Sequence, residues 1–257
     1  MNDLERYISR IRETVLFFWE MYEEDNDGHT QVIALLKPTP KVSNVELRNF
    51  VLHNLYQSRE LSLTEAAIHL AAWLRERNFA PEGTEAIDAA LREVCYPYER
   101  EKRIVTDLEV TERSFLRLAR YIRQMHTEGA SQHTRVFDYF IPPKAIPRGK
   151  SHKGYSHPEH VVPCAFIRDT CLSYFAKDKD YSLDDLVKLI RRLLVIVDIA
   201  EEERKTLDIG PFALKDKMPP GWDLETGCIY DRLHKAKPEI KFDHPSGFTC
   251  SHTSTPL

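Results

Sequence analysis

Cysteine is sparse and unpatterned: Cys95, Cys164, Cys171, Cys228 and Cys250 are odd in number, scattered, and include no C-x-x-C pair. That argues against a disulfide framework and a Cys-rich zinc module, and predicts thiols. No apolar run approaches the roughly 18 residues of a membrane span, and the first helix opens on Asn2, Asp3 and Glu5 without a basic and then apolar leader. A cytoplasmic address with no membrane partner is the expectation. A net excess of positive charge is also missing. At -4, the chain is not one that coats nucleic acid through bulk charge. Internal repeats and low-complexity blocks are absent too. With only nine glycines, 42% hydrophobic and 30% charged residues, the 257-residue composition is that of a folded, helix-leaning chain long enough for two domains.

Helical periodicity fills the first half. Leu4, Ile8, Ile11, Val15, Phe18, Trp19 and Tyr22 form one apolar stripe. Ser43-x-x-Glu46 and Ser62-x-x-Glu65 are capping-box patterns that open two further helices, the second running through Leu70 and Trp73. Helices are also predicted over 84–95 and 111–126. Trp19, Trp73 and His69 lie on these helices and are assigned to packing. Residues 1–127 thus read as an all-helical domain, with partner contacts or self-association as its expected role, and the small polar stretch 127–131 as a joint.

Beyond the joint the texture changes. Residues 135–141 (R-V-F-D-Y-F-I) are rich in strand formers and stop at Pro142-Pro143. A basic loop, Lys144 to Lys153 (K-A-I-P-R-G-K-S-H-K), follows with no acid in it, whereas residues 20–27 are acidic. A polyanion would bind near the former. Next come Glu159 and His160, side by side on a predicted strand that ends at Val161-Val162-Pro163. A carboxylate that can hold a cation, next to an imidazole that can take a proton from water, has the two groups metal-assisted hydrolysis needs. A surface Glu-His pair is the plain alternative. Ser182-x-x-Asp185 opens a helix to about Arg192; Leu194 to Ile199 reads as a buried strand, Ala200 to Leu207 and Tyr230 to Ala236 as helices, and 243–257 as a loose tail. The fold class is α+β, with a second domain over 132–242.

Glu159-His160-Val161-Val162-Pro163, and then Val195 to Ile199 running into Ala200 to Asp208, resemble the ββα-metal motif of the HNH endonuclease family over about residues 135–210. The resemblance implies a metal-dependent endonuclease that hydrolyses phosphodiester bonds, in DNA before RNA. It makes His160 the general base, Glu159 and Asp208 ligands of a divalent cation, Mg or Mn in the first place, and Arg204 a clamp for the scissile phosphate. Arg148, Lys150 and Lys153 of the basic loop become the residues that hold the nucleic acid. The final helix departs from the family pattern, because the position four before Asp208 is Arg204, which has no lone pair for a metal. Two alternatives follow: a non-catalytic interaction or regulatory protein on a degenerate HNH scaffold, and a scaffold stabilised by zinc through His157, His160, Cys164 and Cys171.

Overall fold

The computed structural model describes residues 3–24, 63–76, 104–127, 129, 133–176, 181–209 and 213–248. The helices expected from Ser43 and over 84–95 lie outside them. The chain divides into two compact units, 1–131 and 132–257. Among the described residues it is mixed α and β, with eight α-helices and one four-stranded mixed sheet.

In the first unit, α1 (Asp3–Glu23) packs against α2 (Leu63–Glu76) and α3 (Asp107–Thr127). Ile11, Val15, Phe17 and Met21 of α1 are buried, as are Leu70 and Trp73 of α2 and Phe115, Leu118 and Ile122 of α3. Ile11, Val15 and Trp19 lie on the interior stripe that the helical spacing predicts, whereas Ile8 is half-buried and the stripe also takes in Phe17 and Met21, which the spacing did not single out. His69 is exposed. Helix α3 starts earlier than its apolar pattern suggests, because Thr106 and Glu109 form a reciprocal cap: the Glu109 amide donates to Thr106 Oγ1 at 3.2 Å, and the Thr106 amide to Glu109 Oε2 at 2.9 Å. Charged side chains tie α1 to α3, with Arg117 bonded to Glu24 at 2.6 Å and Glu20 at 3.1 Å, and Arg113 to Glu23 at 2.9 Å.

The second unit opens with a correction. The strand formers of 135–141 fold into a short helix, α4 (Val136–Phe140), whose Val136, Phe137 and Phe140 are buried. Tertiary burial of three apolar side chains overrides β propensity here. A second correction concerns the basic loop, of which Arg148–Ser151 is strand β1. Strand β2 (His157–His160) does not form a hairpin with β1; it pairs antiparallel with β3 (Ile196–Ile199), and β3 pairs parallel with β1. Two helices, α5 (Cys164–Ala176) and α6 (Leu183–Leu193), occupy the connection between β2 and β3. The Ser182 cap forms as its spacing predicts, with Ser182 Oγ accepting from the Asp185 amide at 3.1 Å. Helix α7 (Glu201–Ile209) leaves β3 and packs against β2; α8 (Asp231–His234) follows. Strand β4 (Phe242–Asp243) closes the sheet against β1 in the order β2-β3-β1-β4, so the predicted tail begins with paired backbone and a buried Pro245.

The register sorts the sheet into two faces. Val197, Ile199 and Phe242 face the core together with Gly149, where an added Cβ would lie 2.3 Å from the Asp243 carbonyl oxygen. The other face carries polar rows across the strands. One row is His160, Ile196 and Arg148; the next is Pro158, Asp198, Lys150 and Asp243.

Candidate functional site

Alternation along β2 puts His160 and Glu159 on opposite sides of the sheet, and the two sides do different things. On the polar face, β1 and β3 run in parallel register, which sets Arg148 one step from Asp198. Their side chains form a two-point ion pair, Nη2 to Oδ1 at 2.5 Å and Nε to Oδ2 at 3.2 Å. Nη1 of Arg148 makes no hydrogen bond among the described residues. The Lys150 ammonium stands 5.8 Å from the centroid of the exposed Tyr155 ring, and neither it nor Lys153 enters an ion pair among the described residues. His160 is near this face but is withdrawn: its Nε2 is buried, makes no hydrogen bond among the described residues, and lies 3.9 Å from Asp138 Oδ1 of α4. Burial pushes the His160 pKa down, against the pull of the Asp138 and Glu159 carboxylates, so the ring is neutral near pH 7.

Glu159 is turned the other way. Its Oε1 accepts from Nη1 of the buried Arg232 at 2.6 Å, and its Oε2 lies 3.3 Å from His157 Nε2. Arg232 also donates to three carbonyl oxygens: Nη1 to His160 at 2.7 Å, Nε to Leu214 at 2.6 Å and Nη2 to Lys215 at 3.1 Å. Around the same side, Arg204 takes two of the four carboxylates of its helix, Glu201 at 2.6 Å and Asp208 at 2.8 Å. That hydrogen bond raises the Arg204 pKa and lowers that of Glu201. Glu203, a conceivable substitute ligand, is buried and accepts from Ser151 Oγ at 2.6 Å and the Ala200 amide at 3.0 Å.

The donor set does not fit a divalent cation. Both carboxylates that the resemblance makes ligands, Glu159 and Asp208, are occupied by guanidinium groups, and a cation there would have to displace a positive charge already bonded to them. Among the described residues no three His, Cys, Asp or Glu side chains are grouped to hold a metal. The zinc alternative fares no better. His157 and His160 lie on opposite faces of β2, so the strand cannot turn both imidazoles to one ion.

Arg148 and Lys150 are therefore brought together with His160, while Arg204 belongs to the Glu159 side and does not reach that row. Three participants escaped the sequence. Asp198 could have been found as the one charge inside an apolar strand; Asp138 was hidden by the reading of 135–141 as a strand; Arg232 carries no local signal. Expected thiols are corrected at one position: Cys228 is disulfide-bonded, with its partner outside the described residues. Cys164 and Cys171 are free. No helix among the described residues is long and apolar enough to cross a membrane.

No family model matches this chain, and neither a curated protein nor a solved structure does.

Proposed function

We propose that the second unit binds DNA on the polar sheet face, through Arg148, Lys150 and Lys153, and that it does so on a ββα-nuclease-like scaffold whose hydrolytic centre is closed. The observation that carries this reading is that Lys150 and Lys153 enter no ion pair among the described residues, although Asp198 and Asp243 share the row of Lys150. Their ammonium groups are where phosphates can reach them, and the acidic groups a nuclease would need are tied to Arg232 and Arg204 elsewhere. Order and direction of β2, β3 and α7 support the scaffold: an antiparallel strand pair followed by a helix that packs back on the first strand. The buried Nε2 of His160 also favours binding over hydrolysis, since water has no path to an atom without exposed surface.

A second reading, hydrolysis of the DNA phosphodiester with His160 as base, is favoured by one observation. Asp138 lies 3.9 Å from that nitrogen and could stabilise the imidazolium formed when water is deprotonated. One experiment separates the two. Labelled DNA is mixed with the full chain at low salt, and binding and cleavage are followed together. Binding without cleavage, weakened by Lys150→Glu with Lys153→Glu, is the expected result. Cleavage that His160→Ala abolishes would replace it with the hydrolytic reading, and no binding at all would end both.

A further inference from the structure

We propose that the DNA taken by this face is single-stranded, with Tyr155 as the platform on which an unpaired base stacks. The inference rests on the DNA-binding reading and narrows it.

Tyr155 is 74% exposed, unusual for a large aromatic residue in a unit that buries Phe137, Phe140, Tyr230 and Phe242. It lies in the connection between β1 and β2, beyond Gly154, and its ring is held at the sheet by the Lys150 ammonium 5.8 Å from the ring centroid. A cation over an aromatic face is an attractive contact that leaves the rest of the ring in water. Ammonium and ring together match the two parts of a nucleotide: Lys150 the phosphate, Tyr155 the base. Lys153, two residues before Tyr155 and exposed, supplies a second phosphate contact on the same connection.

Charge alone does not distinguish single strands from duplex, but an exposed ring does. In a duplex every base already stacks on its neighbours and presents only its edges, so a lone ring gains nothing from it. In a single strand the base face is free, and stacking on an aromatic side chain adds affinity whatever the base. Lys150 on the polar face, Lys153 on the connection beside it and one open ring together make a surface for an unpaired strand.

The test is fluorescence anisotropy on the full chain, using labelled oligothymidylate and a blunt duplex of equal length at the same salt. Oligothymidylate should bind more tightly than the duplex. Tyr155→Ala should weaken oligothymidylate binding roughly 10-fold and leave duplex binding unchanged; Tyr155→Phe should retain the wild-type preference, because the ring and not the hydroxyl stacks. Lys150→Ala should weaken both ligands and lower the slope of log affinity against log salt by about 0.7 to 0.9. Equal affinity for the two forms, or a Tyr155→Ala protein that keeps its preference, overturns the single-strand inference while DNA binding stands. If neither probe binds, the inference falls together with the reading beneath it.

Discussion

Arg232, 1% exposed, is bonded through Nη1 to Glu159 Oε1 at 2.6 Å, so the acid of the Glu-His pair is the counter-charge of a buried cation. The same guanidinium holds the carbonyl oxygens of His160, Leu214 and Lys215, which fastens the end of β2 to the segment after α7. Glu159 is thus a structural residue by its contacts, and its removal is a statement about stability.

Replacing Glu159 by Ala leaves the Arg232 charge buried with only carbonyl partners. The expected loss is about 3 kcal/mol, the scale for breaking a buried ion pair from one side. Urea unfolding of the variant measures it. A midpoint equal to that of the native chain would mean that Arg232 finds water or another partner, and that the clamp is not what fixes β2.

A metal titration should be silent at this site. With Glu159 on Arg232 and Asp208 on Arg204, calorimetry with Mg or Mn is expected to give no heat of site binding. Arg204→Ala frees Glu201 and Asp208 together and should be the variant in which weak cation binding first appears. Tight binding by the native chain, abolished by Glu159→Gln, would reverse this assignment.

His160 should make the fold acid-sensitive. Its folded pKa lies below the unfolded value of ~6.5, because burial disfavours the imidazolium. Between the two values the unfolded chain binds more protons, so stability is full above ~6.5 and declines as pH falls towards the folded pKa. His244, also lowered by burial and by His234, contributes in the same direction. Denaturant midpoints from pH 7.5 to 5 should therefore fall less steeply in His160→Gln than in the native chain. Parallel slopes would show that the ring already titrates as a solvated histidine.

The free thiols should resist alkylation. Cys171 is fully buried and Cys164 half-buried, and burial pushes both up to about 12, so almost no thiolate exists at pH 8. Iodoacetamide followed by mass spectrometry should leave both unmodified in the native chain and label both after denaturation. Fast native labelling of Cys171 would show that the packing around α5 opens readily.

Local patterns were legible where the chain supplies its own answer. The stripe through Ile11 and Val15, the Ser182-Asp185 cap and the apolar strand around Val197 are each set by residues within a turn or two of one another. Residues 135–141 misled because their strand formers are used as a helix face, and β1 was hidden inside a basic stretch whose charges alternate outward while Gly149 and Ser151 turn in. The site was legible as residue types and not as partners. Glu159 and Asp208 are chemically fit for a cation, yet Arg232 stands 73 positions from the first, and no spacing rule reaches that far.

The sequence alone determined the helices around Ile11, Leu70, Leu118 and Leu189, the cap at Ser182, and that Arg148, Lys150 and Lys153 form a cationic stretch beside Glu159 and His160, since propensity, periodicity and charge are local properties. Only the tertiary structure decided that β1 pairs with β3, that His160 and Arg148 share a face, and that both expected metal ligands belong to arginines. For Glu159 the reason is burial: Arg232 is enclosed, its charge must be met by a carboxylate, and Glu159 is the residue the folded sheet presents to it.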